Sequence, residues 1–257
     1  MTMRGTFLKA IVALSLLGLA AAGVAQALKI EIGKTVVSAT ATVTPRALPA
    51  KANAPVSVAS ITRIGTTDGS TPPTLKELVF QFDGHGAIET KGLPVCTMAK
   101  LAETTVKEAR KRCAGAIVGE GTGKAVVTMP GKAPQKISSP LTLFNAPPQG
   151  GMPSLIAHAY ATIPTPKAVL VPFTVERIHN GRYGYQVKIP VPPIAEGFGA
   201  ATLAEATIGK TWKQGGKEIG YASARCSGGR LQVHGSISFT DGSFFPGTLT
   251  SPCHVSG

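Results

Sequence analysis

Short stretches in which apolar and polar residues alternate follow one another along most of this chain. In residues 75–83, Leu78, Phe80 and Phe82 occupy every second position, with mainly polar residues between them. Because successive side chains of a strand point to opposite faces, this pattern predicts a strand with one buried face. Similar stretches, separated by Gly and Pro, continue to the C-terminus. They predict an all-β fold, an antiparallel β-sandwich of about a dozen strands.

Five segments add detail to this pattern. Residues 28–43 are expected to form β structure, and the Pro- and Ala-rich residues 44–56 a connector. The glycines of residues 119–123 are expected to form a tight hairpin or a bulge between two short strands. Residues 145–153 and 192–199 contain several Pro and Gly and are expected to be irregular loops, where binding residues are often found on rigid scaffolds.

One segment, residues 97–112, has the spacing of charged and apolar residues that is typical of a helix. A straight helix would separate Cys96 from Cys113 by about 25 Å at 1.5 Å per residue, whereas a disulfide requires roughly 4.4–6.8 Å. If these two cysteines are paired, the segment must fold back on itself. We therefore expect a short helical insert of two turns, the second capped by Thr104 or Thr105.

The four cysteines, Cys96, Cys113, Cys226 and Cys253, indicate how the fold is held together. Four cysteines allow three disulfide pairings. Their order along the chain favours two local bonds, Cys96 with Cys113 and Cys226 with Cys253. The second bond is expected to tie the first and last of three consecutive antiparallel strands over residues 221–253. A metal site is not supported, because no Cys-x-x-Cys pair occurs.

Residues 1–27 have the pattern of a secretory signal peptide. Arg4 and Lys9 give a positive start, residues 10–25 are uncharged and largely apolar, and residues 25–27 form the small-x-small sequence at which signal peptidases cut. The apolar run is shorter than the roughly 20 residues that span a bilayer. We therefore expect a cleaved signal peptide and a secreted or cell-envelope protein, with an uncleaved anchor as the alternative.

Residues 28–257 are long enough for one large β domain, and two half-sandwiches with a boundary near residues 114–150 are the alternative. Of the 26 basic side chains, Arg4 and Lys9 precede this part, which leaves 24 against 13 acidic ones and a net charge near +11. Such an exported protein is suited to bind an anionic envelope polymer or polysaccharide, but the charge can equally serve only solubility. No later apolar run is long enough to span a membrane, and no pattern of aromatic residues indicates a specific nucleic-acid site.

Residues that could carry catalysis are sparse. Asp68, Asp83 and Asp241 each precede a Gly, as is typical of turns, and His85 lies in the second of these turns. His158 lies in an apolar strand, where a buried, hydrogen-bonded imidazole is expected. Neither a Gly-x-Ser-x-Gly nucleophile elbow nor a phosphate-binding loop occurs. The sequence therefore predicts no catalytic residue, no cofactor and no metal ion.

Four strings carry a resemblance, and they are Thr67–Leu78, Gly92–Cys96, Val118–Thr122 and Tyr221–Cys226. Together they resemble a group of uncharacterised exported proteins of high-GC actinobacteria. The resemblance implies export and a β-rich domain tied by disulfides. Because that group has no assigned activity, the resemblance implies no functional residue.

These observations predict a secreted, monomeric and non-enzymatic protein that is structural or binds an anionic polymer. The first alternative is a secreted hydrolase acting on polysaccharide, which would need two carboxyl groups about 5–10 Å apart in one cleft. The second alternative is a subunit of a surface assembly that uses exposed strand edges.

Overall fold

The structure, a computed structural model, describes residues 27–256. The predicted signal peptide, apart from Ala27, lies outside the described residues. The described part contains eighteen strands, two α-helices and two short 3-10 helices. The strands are β1 (Leu28–Ile32), β2 (Thr35–Thr44), β3 (Ala47–Leu48), β4 (Ala54–Thr66), β5 (Leu75–Asp83), β6 (Gly86–Ile88), β7 (Ile117–Val127), β8 (Gln135–Gln149), β9 (Met152–Ala161), β10 (Lys167–Asn180), β11 (Tyr183–Pro190), β12 (Gly199–Ile208), β13 (Thr211–Gln214), β14 (Lys217–Gly220), β15 (Ala222–Ala224), β16 (Arg230–Phe239), β17 (Phe244–Pro252) and β18 (His254–Val255). The helices are α1 (Met98–Leu101) and α2 (Val106–Arg112), and the 3-10 helices are Ala114–Ala116 and Ala195–Gly197.

Fourteen strands form one large antiparallel sheet. Twelve of them follow the order β1-β2-β4-β12-β7-β8-β9-β10-β11-β5-β16-β17, and β15, which pairs with β4 and β6, lies beside this path with β6. The sheet curls until its two ends meet. There the backbone N–H of Val43 on β2 donates to Ser251 Oγ on β17 at 3.0 Å. The missing side chain of Gly247 on β17 leaves the space that Leu28 of β1 occupies. The prediction of an all-β, antiparallel fold with about a dozen strands is confirmed, and the sheet is nearly closed.

Residues 28–43 are β structure, as predicted, and form the hairpin β1–β2, with Gly33 at a positive φ of 58° in the turn. The prediction of an irregular loop at residues 145–153 is wrong. Residues 145–153 form the end of β8 and the start of β9 rather than a loop, with Gly150 and Gly151 at the turn. Pro147 and Pro148 are tolerated because the register between these strands is irregular there.

The glycine-rich residues 119–123 do not form a hairpin, and they lie within the continuous strand β7. Their pairing with β8 contains a bulge, since the register shifts between Ile117 and Gly119. The glycines permit a close approach to β12: a Cβ at Gly119 would lie 2.6 Å from the carbonyl oxygen of Thr207. A Cβ at Gly121 would overlap the carbonyl oxygen of Glu205.

The helical insert folds back as the cysteine spacing predicts. The helices α1 and α2 are separated by Glu103, which has a positive φ of 55°. Thr105 caps α2: its Oγ1 accepts from Glu108 N at 3.3 Å, and Glu108 Oε2 accepts from Thr105 N at 2.9 Å. Cys96 and Cys113 are bonded, with their Cα atoms 5.8 Å apart. The predicted pairing and the predicted break are both confirmed.

The insert covers the outer face of β8 and β9. Leu101 of α1 and Ala109 of α2 are fully buried against Phe144 and Ile156. No helix in residues 27–256 is both long enough and apolar enough to cross a membrane.

The second disulfide, between Cys226 and Cys253, is also confirmed, with Cα atoms 5.9 Å apart. The prediction of three consecutive paired strands around it is wrong. The strands β16 and β17 do pair, but β15 pairs with β4 and β6. The disulfide therefore joins the end of the sheet at β17 to the segment that follows the small β6–β15 pair.

Candidate functional site

The inward face of the large sheet is apolar and lines a partly open cavity. Leu78, Phe80 and Phe82 of β5 line it, as their alternation with polar residues predicts. Small side chains on other strands, including Ala157 on β9 and Ala206 on β12, leave space at the centre. The cavity has a volume of about 420 Å³. This volume lies in the range of about 300–1,000 Å³ that is usual for small-molecule sites.

Unfilled apolar space is unfavourable, because the side chains that line it lose packing contacts. Because the lining is apolar, water gains little by entering, whereas a smaller apolar cavity of about 150 Å³ binds benzene. The interior therefore favours an apolar occupant.

One polar group in the cavity wall has no protein partner. Tyr221 lies between β14 and β15, lines the cavity and is 1 % exposed. Within residues 27–256 its hydroxyl group has no hydrogen-bond partner. Burial raises the pKa of the Tyr221 phenol far above its ordinary value, so the hydroxyl stays protonated and available as a donor. An occupant with one acceptor atom could satisfy this donor, which an apolar wall alone leaves unsatisfied.

A second polar arrangement lies at one end of the cavity, around Asp83 at the end of β5. Asp83 is 4 % exposed, and it is the single buried Asp or Glu within residues 27–256. Its Oδ1 accepts from His85 N at 3.0 Å and faces His85 Nδ1 at 2.7 Å. Its Oδ2 accepts from Arg182 Nε at 2.5 Å and from Gln232 N at 3.2 Å. One carboxylate thus connects β5, the β10–β11 turn and the start of β16.

The same arrangement extends to Ser227, in the turn after Cys226. Ser227 Oγ lies 2.7 Å from His85 Nε2. Solvent exposure increases along this series: Asp83 is buried, the His85 side chain is 32 % exposed, and Ser227 is exposed. Sequence reasoning identified Asp83 and His85 as turn residues and did not select Ser227, which lies 142 positions from His85.

His158 is buried beneath the helical insert, outside the cavity, as its apolar surroundings in the sequence predict. Its Nε2 lies 3.1 Å from the carbonyl oxygen of Thr104, and its ring packs edge-on against Phe144. Burial lowers the pKa of His158 below its ordinary value. Nε2 donates to Thr104, because a carbonyl oxygen can only accept. This histidine fixes the insert to the sheet.

No group of three or more His, Cys, Asp or Glu among residues 27–256 is placed to hold a metal ion. No family model, curated protein or solved structure matches this chain. The resemblance to exported actinobacterial proteins therefore stays a prediction, and the function is argued from the geometry alone.

Proposed function

We propose that this protein is a secreted or cell-envelope protein that binds an apolar molecule, such as a lipid chain, inside its nearly closed sheet. The observation that carries the proposal is the apolar cavity of about 420 Å³. Natural protein interiors are packed as densely as organic crystals. A cavity of this size within a disulfide-bonded sheet is therefore best explained by a ligand that fills it.

Tyr221 supports a more specific ligand class. Tyr221 belongs to a cavity wall that is otherwise almost entirely apolar, and its buried hydroxyl group has no hydrogen-bond partner within residues 27–256. A ligand with a long apolar part and one acceptor oxygen, such as a long-chain alcohol or ester, matches both features. A hydrogen bond to such an oxygen would contribute about 0.5–1.5 kcal/mol to the binding free energy.

The exterior supports a second binding role, to an anionic envelope polymer. Salt bridges within the described part of the chain involve only four of its Lys and Arg side chains, Lys29, Lys34, Arg110 and Arg182. Most of the basic residues thus contribute positive charge without a carboxylate partner. Exposed charge contacts are screened at high salt, so sedimentation with envelope material should disappear there. Sedimentation that persists at high salt would contradict this electrostatic role.

Binding in the cavity is tested with N-phenylnaphthylamine, an apolar dye that becomes fluorescent in apolar surroundings. Purified, oxidised protein should bind the dye and release it when hexadecanol is added. Ala206→Phe places a large side chain in the cavity and should weaken binding of the dye. Thr207→Phe is the matched control on the outer face of the same strand, and it should bind the dye like the wild type.

Equal dye binding by Ala206→Phe and Thr207→Phe would contradict the proposal, because it would place the dye on the surface. A folded wild-type protein that binds neither the dye nor hexadecanol would contradict it as well.

A further inference from the structure

Three side chains from two distant parts of the chain form a hydrogen-bonded series that the cavity does not explain. We propose that Ser227, His85 and Asp83 are a catalytic Ser–His–Asp triad that hydrolyses esters at the end of the cavity. The proposal departs from the sequence-based expectation that the protein has no catalytic residue. It rests on the proposed function only for the identity of the acyl group.

The atoms are arranged as nucleophilic catalysis requires. Ser227 Oγ lies 2.7 Å from His85 Nε2, and His85 Nδ1 lies 2.7 Å from Asp83 Oδ1. Both distances fall in the range of about 2.6–3.2 Å expected for a nucleophile, its base and the group that orients the base. A carboxylate can only accept, so His85 Nδ1 carries the proton and donates it to Asp83. His85 Nε2 is then free to accept from the Ser227 hydroxyl.

Turn geometry accounts for only half of this arrangement. In the other two Asp–Gly turns the carboxylate accepts from the residue two positions later, which is Ser70 after Asp68 and Ser243 after Asp241. In the turn at Asp83 the residue two positions later is His85, so the contact between His85 and Asp83 follows local turn chemistry. No such local rule places Ser227 against the other ring nitrogen of His85.

Main-chain bonds hold Ser227 in position. The N–H of Arg225 donates to the carbonyl of His85 at 3.0 Å, which fixes the two segments side by side. Cys226 is fully buried and disulfide-bonded, and the carbonyl of Gly229 accepts from Cys253 N at 2.9 Å. The turn that carries Ser227 is therefore anchored on both sides. Such fixed positioning is what catalytic groups require.

The same turn supplies donors for a developing negative charge. Among the described residues, the backbone N–H groups of Gly228 and Gly229 have no backbone acceptor. They are the donors that this turn offers for the oxyanion of a tetrahedral intermediate.

The reaction is the hydrolysis of an ester by water. Ser227 Oγ attacks the acyl carbon while His85 Nε2 takes the Ser227 proton. The bond from the acyl carbon to the alcohol oxygen breaks, and His85 gives that proton to the departing alcohol. Water then attacks the acyl carbon while His85 Nε2 takes a proton from it. The bond from the acyl carbon to Ser227 Oγ breaks, His85 returns the proton to Oγ, and the carboxylic acid leaves. Asp83 is the positioning residue that holds the imidazole and stabilises its protonated form.

The site adjoins the cavity, which suggests the acyl part of the substrate. Asp83, Gly86 and Ala224 line the cavity, and Ser227 follows Ala224 by three positions. An ester with a medium or long acyl chain could place that chain in the cavity and its carbonyl at the turn. A carboxylic ester of a lipid is thus the substrate class that both features fit.

The experiment combines covalent labelling with hydrolysis. A biotinylated fluorophosphonate should label the oxidised wild-type protein once, on the tryptic peptide Cys226–Arg230 released after reduction. Nitrophenyl acetate and nitrophenyl octanoate should both be hydrolysed. Ser227→Ala should lose labelling and hydrolysis, and His85→Gln should slow both by about a hundredfold or more.

The matched control is Ser243→Ala, which removes a partly exposed serine that lies in another turn and donates its hydroxyl to Asp241. It should leave labelling and hydrolysis unchanged. Asp83→Asn should lower kcat for the acetate with little change in KM, provided that circular dichroism shows a folded protein. Ser227 and His85 are more exposed, so their variants test the proposal even if Asp83→Asn does not fold.

A folded wild-type protein that is neither labelled nor active would overturn the proposal. Hydrolysis that survives in Ser227→Ala, or labelling unchanged in His85→Gln, would overturn it as well. The acetate separates the two proposals, because its acyl group is too short to need the cavity. Acetate hydrolysis without dye binding would support the triad and refute the apolar ligand. Dye binding without labelling would support the apolar ligand and refute the triad.

Discussion

Replacement of Ala206 with Phe should stabilise this protein, although adding bulk to a well-packed core usually destabilises by about 1–3 kcal/mol. Ala206 faces a cavity of about 420 Å³. If the new ring fills about 100 Å³ of it, the recovered free energy of unfolding is about 2 kcal/mol at 24 cal/mol per Å³. For a protein of this size, that gain corresponds to an increase in Tm of about 4–8 °C.

The assay is thermal and urea denaturation of the oxidised protein, followed by far-ultraviolet circular dichroism. Thr207→Phe is the control, and a surface substitution of this kind should change the free energy of unfolding by no more than about 0.5 kcal/mol. If Ala206→Phe lost 1 kcal/mol or more while Thr207→Phe stayed neutral, the interior would be densely packed. That result would refute the reasoning, because no space would remain for a ligand.

Three further predictions concern single side chains or bonds. Tyr221→Phe removes an unsatisfied hydroxyl group, so denaturation should show an unchanged or slightly higher free energy of unfolding. Hexadecanol should displace the dye from this variant about 2–10-fold less well than from the wild type. Equal displacement would show that the hydroxyl group does not take part in binding. Replacing both Cys96 and Cys113 with Ala should lower the free energy of unfolding by about 3 kcal/mol, because the disulfide closes a loop of this length in the unfolded chain. Urea denaturation that shows no loss would contradict this stabilisation. Because burial lowers the pKa of His158, the unfolded state binds more protons, so stability should fall as the pH drops below about 6.5. His158→Gln keeps a donor for Thr104 and should weaken that pH dependence; an unchanged slope of stability against pH would show that other groups cause it.

The parts of the fold that follow local rules could be predicted from the sequence. The alternation at Leu78, Phe80 and Phe82 identified the inward face of β5, since the side-chain period of a strand is two. The break in the helical insert followed from the distance that a disulfide between Cys96 and Cys113 permits. These features depend on neighbouring residues and on covalent geometry.

The candidate sites depend on contacts between distant residues, and so the sequence did not reveal them. Ala157 and Ala206 create a cavity only because the sheet curls into a nearly closed form, whereas in a flat sandwich the same alanines could be well packed. Asp83 and His85 looked like an ordinary turn, and nothing in the sequence marks Ser227 as their partner. The sequence holds one weak indication of the cavity. Ala204 and Ala206 occupy alternate positions of β12, where larger apolar residues would be expected in a filled core.

The most direct test of ligand binding in the cavity is native mass spectrometry of the protein, purified without detergent from the cells that naturally produce it. We expect a complex with a small apolar molecule that is removed by organic extraction. The complex should form in Thr207→Phe and be less abundant in Ala206→Phe. A ligand-free mass for the wild-type protein, together with failure to take up added hexadecanol, would contradict the claim that this cavity is a binding site.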